Sequence, residues 1–283
     1  MKVTDTVVAV TGGGNGIGRE LVLALLDRGA RAAALDLSEP GLAETARLAG
    51  HRADRLSTHV VDITDRAAVE ALPAAIVEVH GQVDGVISCA GIVQPFVRLA
   101  DLDDATIERV MRVNFWGVTY VTRAFLPYLL ERPRAHVVNV SSMGGFVPVP
   151  GQTVYGASKA AVKLLTEGLH SEFADTSVSV TVVFPGAVGT DITANSGVAI
   201  PGGMTPEQAE EAARKHRPLP PAEAARTILD AMERDAFRVT VGKDATTMDR
   251  LSRLSPRRAA ALVRRNMRDL LGAGAARPVG GGA

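Results

Sequence analysis

Cys89 is the only cysteine among 283 residues, so the chain forms no internal disulfide and offers no cysteine-based zinc site. A lone thiol suits a reducing compartment. Net charge is missing as well. Lys+Arg and Asp+Glu both number 31, which leaves no overall field to favour nucleic acid or an anionic membrane. No apolar run is long enough to cross a bilayer, and the opening MKVTDTVVAVTGGG lacks the layout of a signal peptide. The six histidines are scattered without H-E-x-x-H or any other ligand spacing, so no metal site is expected. Together these absences point to a soluble, cytoplasmic protein.

What is present is apolar material in a regular alternation. Hydrophobic residues make up 46% of the chain and charged residues 22%, enough for a sizeable core. Runs at 6–10, 31–36, 57–61, 83–88, 135–140, 179–184 and 237–241 read as strands, most of them apolar throughout. Helical patterns lie between them at about 17–29, 40–49, 65–80, 102–131, 154–174 and 221–234. Strict alternation predicts an α/β fold, a doubly wound parallel sheet of about seven strands with helices on both faces. Pro73 and Pro127 interrupt helical stretches and are expected to mark kinks or boundaries. One domain is expected over 1–245, with an insertion at 190–222 that carries a helical pattern near 206–216 and would either cover the substrate or stand as a tolerated surface insertion. An amphipathic extension follows at 246–271, then a disordered tail at 272–283.

VVAVTGGGNGIGRELVLALL reads as strand, glycine-rich turn and helix. Amide N–H groups and the positive helix end suit such a turn to a pyrophosphate, although a purely structural strand–helix turn can carry the same glycines. The common G-x-G-x-x-G spacing is absent; the pattern is T-G-x-x-x-G-x-G, on Thr11, Gly12, Gly16 and Gly18, with Gly14, Asn15 and Ile17 between them. Asp36 closes the second strand twenty residues after Gly16, where a carboxylate can hold the adenosine ribose hydroxyls or simply cap the next loop. It would repel the extra phosphate of NADP, and neither Asn15 nor Leu37 offers a positive charge to offset it, so NAD is the expected cofactor. Asp62, in VVDIT, and the SCAG run from Ser88 to Gly91 also stand at strand C-terminal ends, the ligand-binding edge of such sheets.

SSMGGFVPVPGQTVYGASK places Tyr155 and Lys159 four apart on one helix face, across a loop from a pair of serines. A phenol titrates near pH 10 and is a poor base at neutral pH. Bringing it to pH 7 takes about three units, roughly 4 kcal/mol, which a nearby ammonium and an oxidised nicotinamide could together supply. A serine hydroxyl beside it could hold a substrate oxygen while the phenol exchanges a proton. YGASK could equally be an ordinary helix start with an exposed lysine.

Taken in order, these motifs resemble the short-chain dehydrogenase/reductase family from about Val7 to Gly242: TGGGNGIG, Asp36, DI at 62–63, CAG at 89–91, VNFWG, SS at 141–142, YGASK and PGAVGT at 185–190. The resemblance implies a Rossmann fold and a tetrad of Asn114, Ser142, Tyr155 and Lys159, with Ser142 chosen because it lies thirteen residues before the tyrosine. It further implies that Lys159 binds the nicotinamide ribose and that Asn114 shapes a proton-relay water. Val188 and Thr190, after Pro185 and Gly186 on the cofactor side, would contact the nicotinamide carboxamide and the phosphates, with Asp62 and Ile63 flanking the adenine and Ala90 and Gly91 beside the cofactor. Where the family usually has Asn-Ala-Gly this chain has Cys89, whose weak hydrogen bonding should soften the cofactor site locally. In the family geometry Phe96, Phe146, Val147, Val149 and Ile192 would join Ser142 and Tyr155 around an apolar alcohol or ketone. The implied activity is NAD-dependent interconversion of a secondary alcohol and a ketone. An NADPH-dependent 3-oxoacyl-type reductase and a non-catalytic NAD sensor are the alternatives. Family members commonly pair the helices corresponding to 102–131 and 154–174, so a homodimer or homotetramer is expected. The C-terminal segment carries Arg250, Arg253, Arg257, Arg258, Arg264, Arg265 and Arg268 beside an apolar stripe. Such a helix could lie on an anionic membrane, but packing on its own domain or another subunit is the preferred expectation.

Overall fold

A computed structural model describes residues 1–198 and 218–267. The helical pattern at 206–216, the tail at 272–283 and residues 268–271 of the C-terminal stripe lie outside the described residues. Seven strands, β1 (Val7–Thr11), β2 (Arg31–Asp36), β3 (Leu56–Val60), β4 (Gly85–Ser88), β5 (Ala135–Val140), β6 (Val178–Pro185) and β7 (Arg238–Val241), form one sheet in the order β3-β2-β1-β4-β5-β6-β7. Every pairing is parallel. The chain winds outward from β1 in one direction and from β4 in the other, so a crevice opens beyond their carboxyl ends.

Apolar residues on both faces of each strand explain the two-sided burial. In β1, Val8 and Val10 belong to one core and Val7 and Ala9 to the other. The first core joins the sheet to α1 (Gly16–Asp27), α2 (Glu39–Ala49) and α8 (Pro221–Glu233); Leu21, Leu25 and Ile228 are fully buried in it, each contributing about 2 kcal/mol. The second covers the opposite face with α3 (Arg66–His80), α5 (Val118–Leu130) and the C-terminal part of α6 (Thr153–Glu172).

Neither proline is a boundary: Pro73 lies inside α3 and Pro127 inside α5, and each helix runs on past it. Val69, Leu72 and Ile76 are buried around Pro73, and that burial offsets a missing N–H that costs about 3 kcal/mol in a helix interior. The helix expected over 102–131 is divided instead at Arg112–Gly117, a wide π turn between α4 (Asp104–Met111) and α5. A short helix, α7 (Ile192–Asn195), follows β6.

The C-terminal amphipathic pattern is two helices, α9 (Lys243–Leu254) and α10 (Pro256–Asn266), separated at Ser255. Their apolar side packs on this same domain, where Met248, Ala259 and Val263 close over Val147 with Phe146 and Val149 alongside. Among the described residues no helix is long and apolar enough to cross a membrane.

Candidate active site

β1 delivers Thr11 to the crevice, and the chain then turns through glycines into α1. Gly12 has φ +75°, a left-handed conformation open to glycine, and a Cβ on Gly18 would collide with the Gly12 carbonyl. The side chain of Asn15 caps α1 by accepting from the Gly16 amide at 2.6 Å. With no side chains in the way, the turn and the helix N-terminus can approach a pyrophosphate at backbone distance. Thr11 itself is buried below this surface. Its Oγ1 accepts from the Cys89 and Ala90 amides, both at 3.0 Å, and clamps the end of β4 to β1.

Asp36 acts on both sides of its loop. Oδ2 accepts from the Gly14 amide and Oδ1 from the Ser38 amide, each at 2.9 Å. The loop-capping reading is therefore met, while the carboxylate still lines the cleft with lone pairs free for ribose hydroxyls. Arg19 borders the same end, its guanidinium held by the Gly14 carbonyl and by Thr45 Oγ1 at 3.1 Å.

From this end a cleft of about 670 Å³ runs along the strand tips. Gly12, Gly14, Asn15, Gly16, Ile17, Gly18, Asp36 and Leu37 line its first part. Asp62, Ile63, Cys89, Ala90 and Gly91 line its middle. Ser142, Tyr155 and Lys159 stand at the far end, while Pro185, Gly186, Val188, Thr190 and Ile192 complete the lining, with Thr190 packed against Gly16 at the glycine turn. An open glycine cradle, an acidic residue at the end of β2 and a polar far end together fit a dinucleotide.

α6 carries Tyr155 and Lys159 one turn apart. Lys159 is 3% exposed, and its Nζ donates to the Val140 carbonyl at 3.0 Å. Burial brings its pKa down to about 8. Burial also raises the Tyr155 phenol above its ordinary value, and the hydrogen bond with Ser142 only partly opposes this. The lowering expected from the sequence, which called on the ammonium and an oxidised nicotinamide together, is absent from the protein alone, where burial dominates. The two serines divide their tasks. Ser141 is buried, with Oγ donating to the Lys159 carbonyl at 2.7 Å, whereas Ser142 opens a 3₁₀ turn and faces Tyr155.

Asn114 sits in the π turn, fully buried behind the cleft wall. Its Oδ1 accepts from Ile92 N and its Nδ2 donates to Ile92 O, both at 2.9 Å; Nδ2 also reaches Ser158 Oγ at 3.0 Å. Cys89 lines the cleft, yet burial pushes its thiol up to about 12. That is the behaviour of a small packed residue, not of a nucleophile.

The expected substrate residues separate. Ile192 borders the cleft; Phe96, Phe146, Val147 and Val149 do not. Phe146 packs edge-on against Phe184, with ring centroids 5.3 Å apart, and Val147 is 1% exposed beneath α9 and α10. Two helices from the far C-terminus cover these residues, and no local pattern announces that contact. In their place Ile92, Val93 and Val113 line the wall, unmarked in the sequence except as ordinary apolar positions.

A family model described as short chain dehydrogenase matches residues 6–199. The chain belongs to the short-chain dehydrogenase/reductase family. Within this family of oxidoreductases it is 38% identical over 251 residues to a putative oxidoreductase, SadH, of Mycobacterium tuberculosis, covering 88% of this chain and 90% of that one. Among solved structures it resembles a family member from Burkholderia phymatum in complex with NAD, with TM-score 0.78, 26% identity and coverage of 90% and 95% of the two chains. It also resembles a short chain dehydrogenase from Burkholderia cenocepacia in complex with NADP, with TM-score 0.76, 26% identity and coverage of 93% and 99%.

Proposed function

We propose that the chain moves a hydride between NAD(H) and a mainly apolar secondary alcohol or ketone. The observation that carries this reading is the single cleft shared by the glycine turn, Asp36 and the group Ser142, Tyr155 and Lys159. When bound, a nicotinamide supplies the hydride acceptor or donor, and its oxidised ring favours the phenolate. Tyr155 then takes the hydroxyl proton in oxidation and returns it to the carbonyl oxygen in reduction. Ser142 Oγ holds that oxygen in line with the phenol. Lys159, buried and near its titration point, is suited to hold a ribose hydroxyl and to pass protons toward the phenol. Asn114 braces Ile92 and Ser158 on either side of that path.

NAD is preferred in this reading because the Asp36 carboxylate stands where a 2′-phosphate would bind. Ile92, Val93, Val113 and Ile192 support an apolar substrate. An NADPH-dependent 3-oxoacyl-type reductase is the second reading; Arg19 on the cleft and the NADP-bound structural neighbour favour it. A panel of secondary alcohols offered with NAD and with NADP, read by reduced-nicotinamide absorbance, decides between them. NAD binding without turnover of any alcohol or ketone would leave a non-catalytic sensor.

The proposal extends to a homodimer or homotetramer formed through α5 and α6. Leu164 on α6 is 68% exposed, and Trp116, 48% exposed beside α5, stacks on Tyr120. Exposed apolar groups of this size on α6 and on the π turn that leads into α5 suit a partner subunit, and analytical ultracentrifugation reads the outcome.

A further inference from the structure

The helix that carries Tyr155 and Lys159 has no cap of its own. Gln152 precedes α6 with φ −124° and ψ 36°, and its side chain makes no bond to the first turn. First-turn amides need partners when buried. The amides of Val154 and Tyr155 both donate to one atom, Oε1 of Gln94, at 2.8 and 2.9 Å. Gln94 lies sixty residues before Val154, in the segment after β4. Its Nε2 donates to the Gly151 carbonyl at 3.0 Å, and its own carbonyl accepts from Gln152 Nε2 at 2.7 Å. The residue is fully buried.

Among side chains of this length in their usual state at neutral pH, a primary amide satisfies the pocket. Two N–H groups require an oxygen on one side, and the Gly151 carbonyl requires a donor on the other, so the amide has a single workable orientation. Methionine matches the bulk and offers neither group. The flanking residues reach other parts of the site: Ile92 pairs with Asn114 through both backbone groups, and the Val93 amide donates at 3.0 Å to Ser196 Oγ, just after α7. Ile92 and Val93 also face the cleft. Three successive residues therefore tie the cleft wall to the π turn, to α7 and to the start of α6.

We infer that Gln94 is a positioning residue: by capping α6 at Val154 and at Tyr155 itself, it holds the phenol against Ser142 and fixes it relative to the cleft wall. This rests on the acid–base role proposed for Tyr155, but one of its readouts does not require turnover.

Tyrosinate absorbance followed against pH, with the Tyr155→Phe titration subtracted, isolates the ionisation of Tyr155. In Gln94→Met that ionisation should move up by about one pH unit. The kcat for an alcohol found active should fall on the order of tenfold with KM and NAD affinity little changed. A folded Gln94→Met with the parent's phenol ionisation and kcat overturns the inference. Gln94→Glu is the second variant, and it decides alone if Gln94→Met does not fold. Protonated, its carboxyl presents the same acceptor and a donor to Gly151; ionised, it loses the donor. Its kcat should match the parent at low pH and fall as pH rises, adding a limb that the parent profile lacks, and a parent-like profile counts against the positioning role. If no alcohol or ketone is turned over, the proposed function fails while the absorbance titration still reports on Gln94.

Discussion

Lys159 Nζ stands over the Tyr155 ring, 6.0 Å from its centroid, and gives one of its donors to the Val140 carbonyl. Both groups are buried, and burial drives both toward their neutral forms, the phenol upward and the ammonium down to about 8. In the proposed reaction, the charge of an oxidised nicotinamide would be needed beside this pair before the tyrosine could release its proton.

Tyr155→Phe should therefore lower turnover by about 10²–10⁴-fold while NAD affinity stays close to that of the parent. Steady-state kinetics beside calorimetric NAD titration make the comparison, and normal turnover in this variant would contradict the acid–base role.

Asp36→Ala removes a charged acceptor from the proposed ribose position and also frees the Gly14 and Ser38 amides. NAD affinity should fall by about ten- to a hundredfold, and the ratio of NADP to NAD use should rise. An unchanged ratio would assign cofactor choice to another residue, with Arg19 the first to test.

His136 gives the fold a pH dependence. It is fully buried, its Nε2 bonds to Thr181 Oγ1 at 2.8 Å, and its Nδ1 lies 3.4 Å from Asp235 Oδ1. Burial first, and the N-terminal ammonium second, lower its pKa to about 4, against the opposing pull of Asp235. The unfolded chain then binds a proton that the folded chain refuses, so this contribution is intact above about pH 6.5 and is lost as pH falls toward 4, by up to about 3 kcal/mol. Urea titrations across that window should show the slope in the parent and a shallower one in His136→Leu; equal slopes would place the effect elsewhere.

The Cys89 thiol, held at about 12, should react with iodoacetamide near neutral pH on the order of 10³-fold more slowly in the folded protein than in urea. Mass spectrometry of timed samples measures this, and rapid labelling of the native chain would show a thiolate where burial argues against one.

Much of the fold is legible locally because parallel strands covered on both faces must be apolar throughout. TVVAV and AHVVNV carry that requirement in a few residues each, and they become β1 and β5 at almost the expected bounds. TGGGNGIG is legible for a similar reason, since close backbone approach demands glycine at those positions. As boundaries, Pro73 and Pro127 mislead the same local reasoning. The helix cost of a proline is a local quantity, whereas the burial that offsets it in α3 comes from distant parts of the chain. Val147 is misplaced for an equivalent reason, because the helices that bury it lie about a hundred residues later.

By itself the sequence determined the order of strands and helices, the bare turn at the end of β1, and the one-turn spacing of Tyr155 and Lys159, because each follows from a backbone period or from the absence of a side chain. Tertiary structure alone decided where Asn114 points from its widened turn, what covers Val147, and which residue caps α6. Those choices depend on packing and hydrogen bonds between groups far apart in the chain, and the burial that makes such bonds obligatory exists only once the sheet and its helices have closed around them.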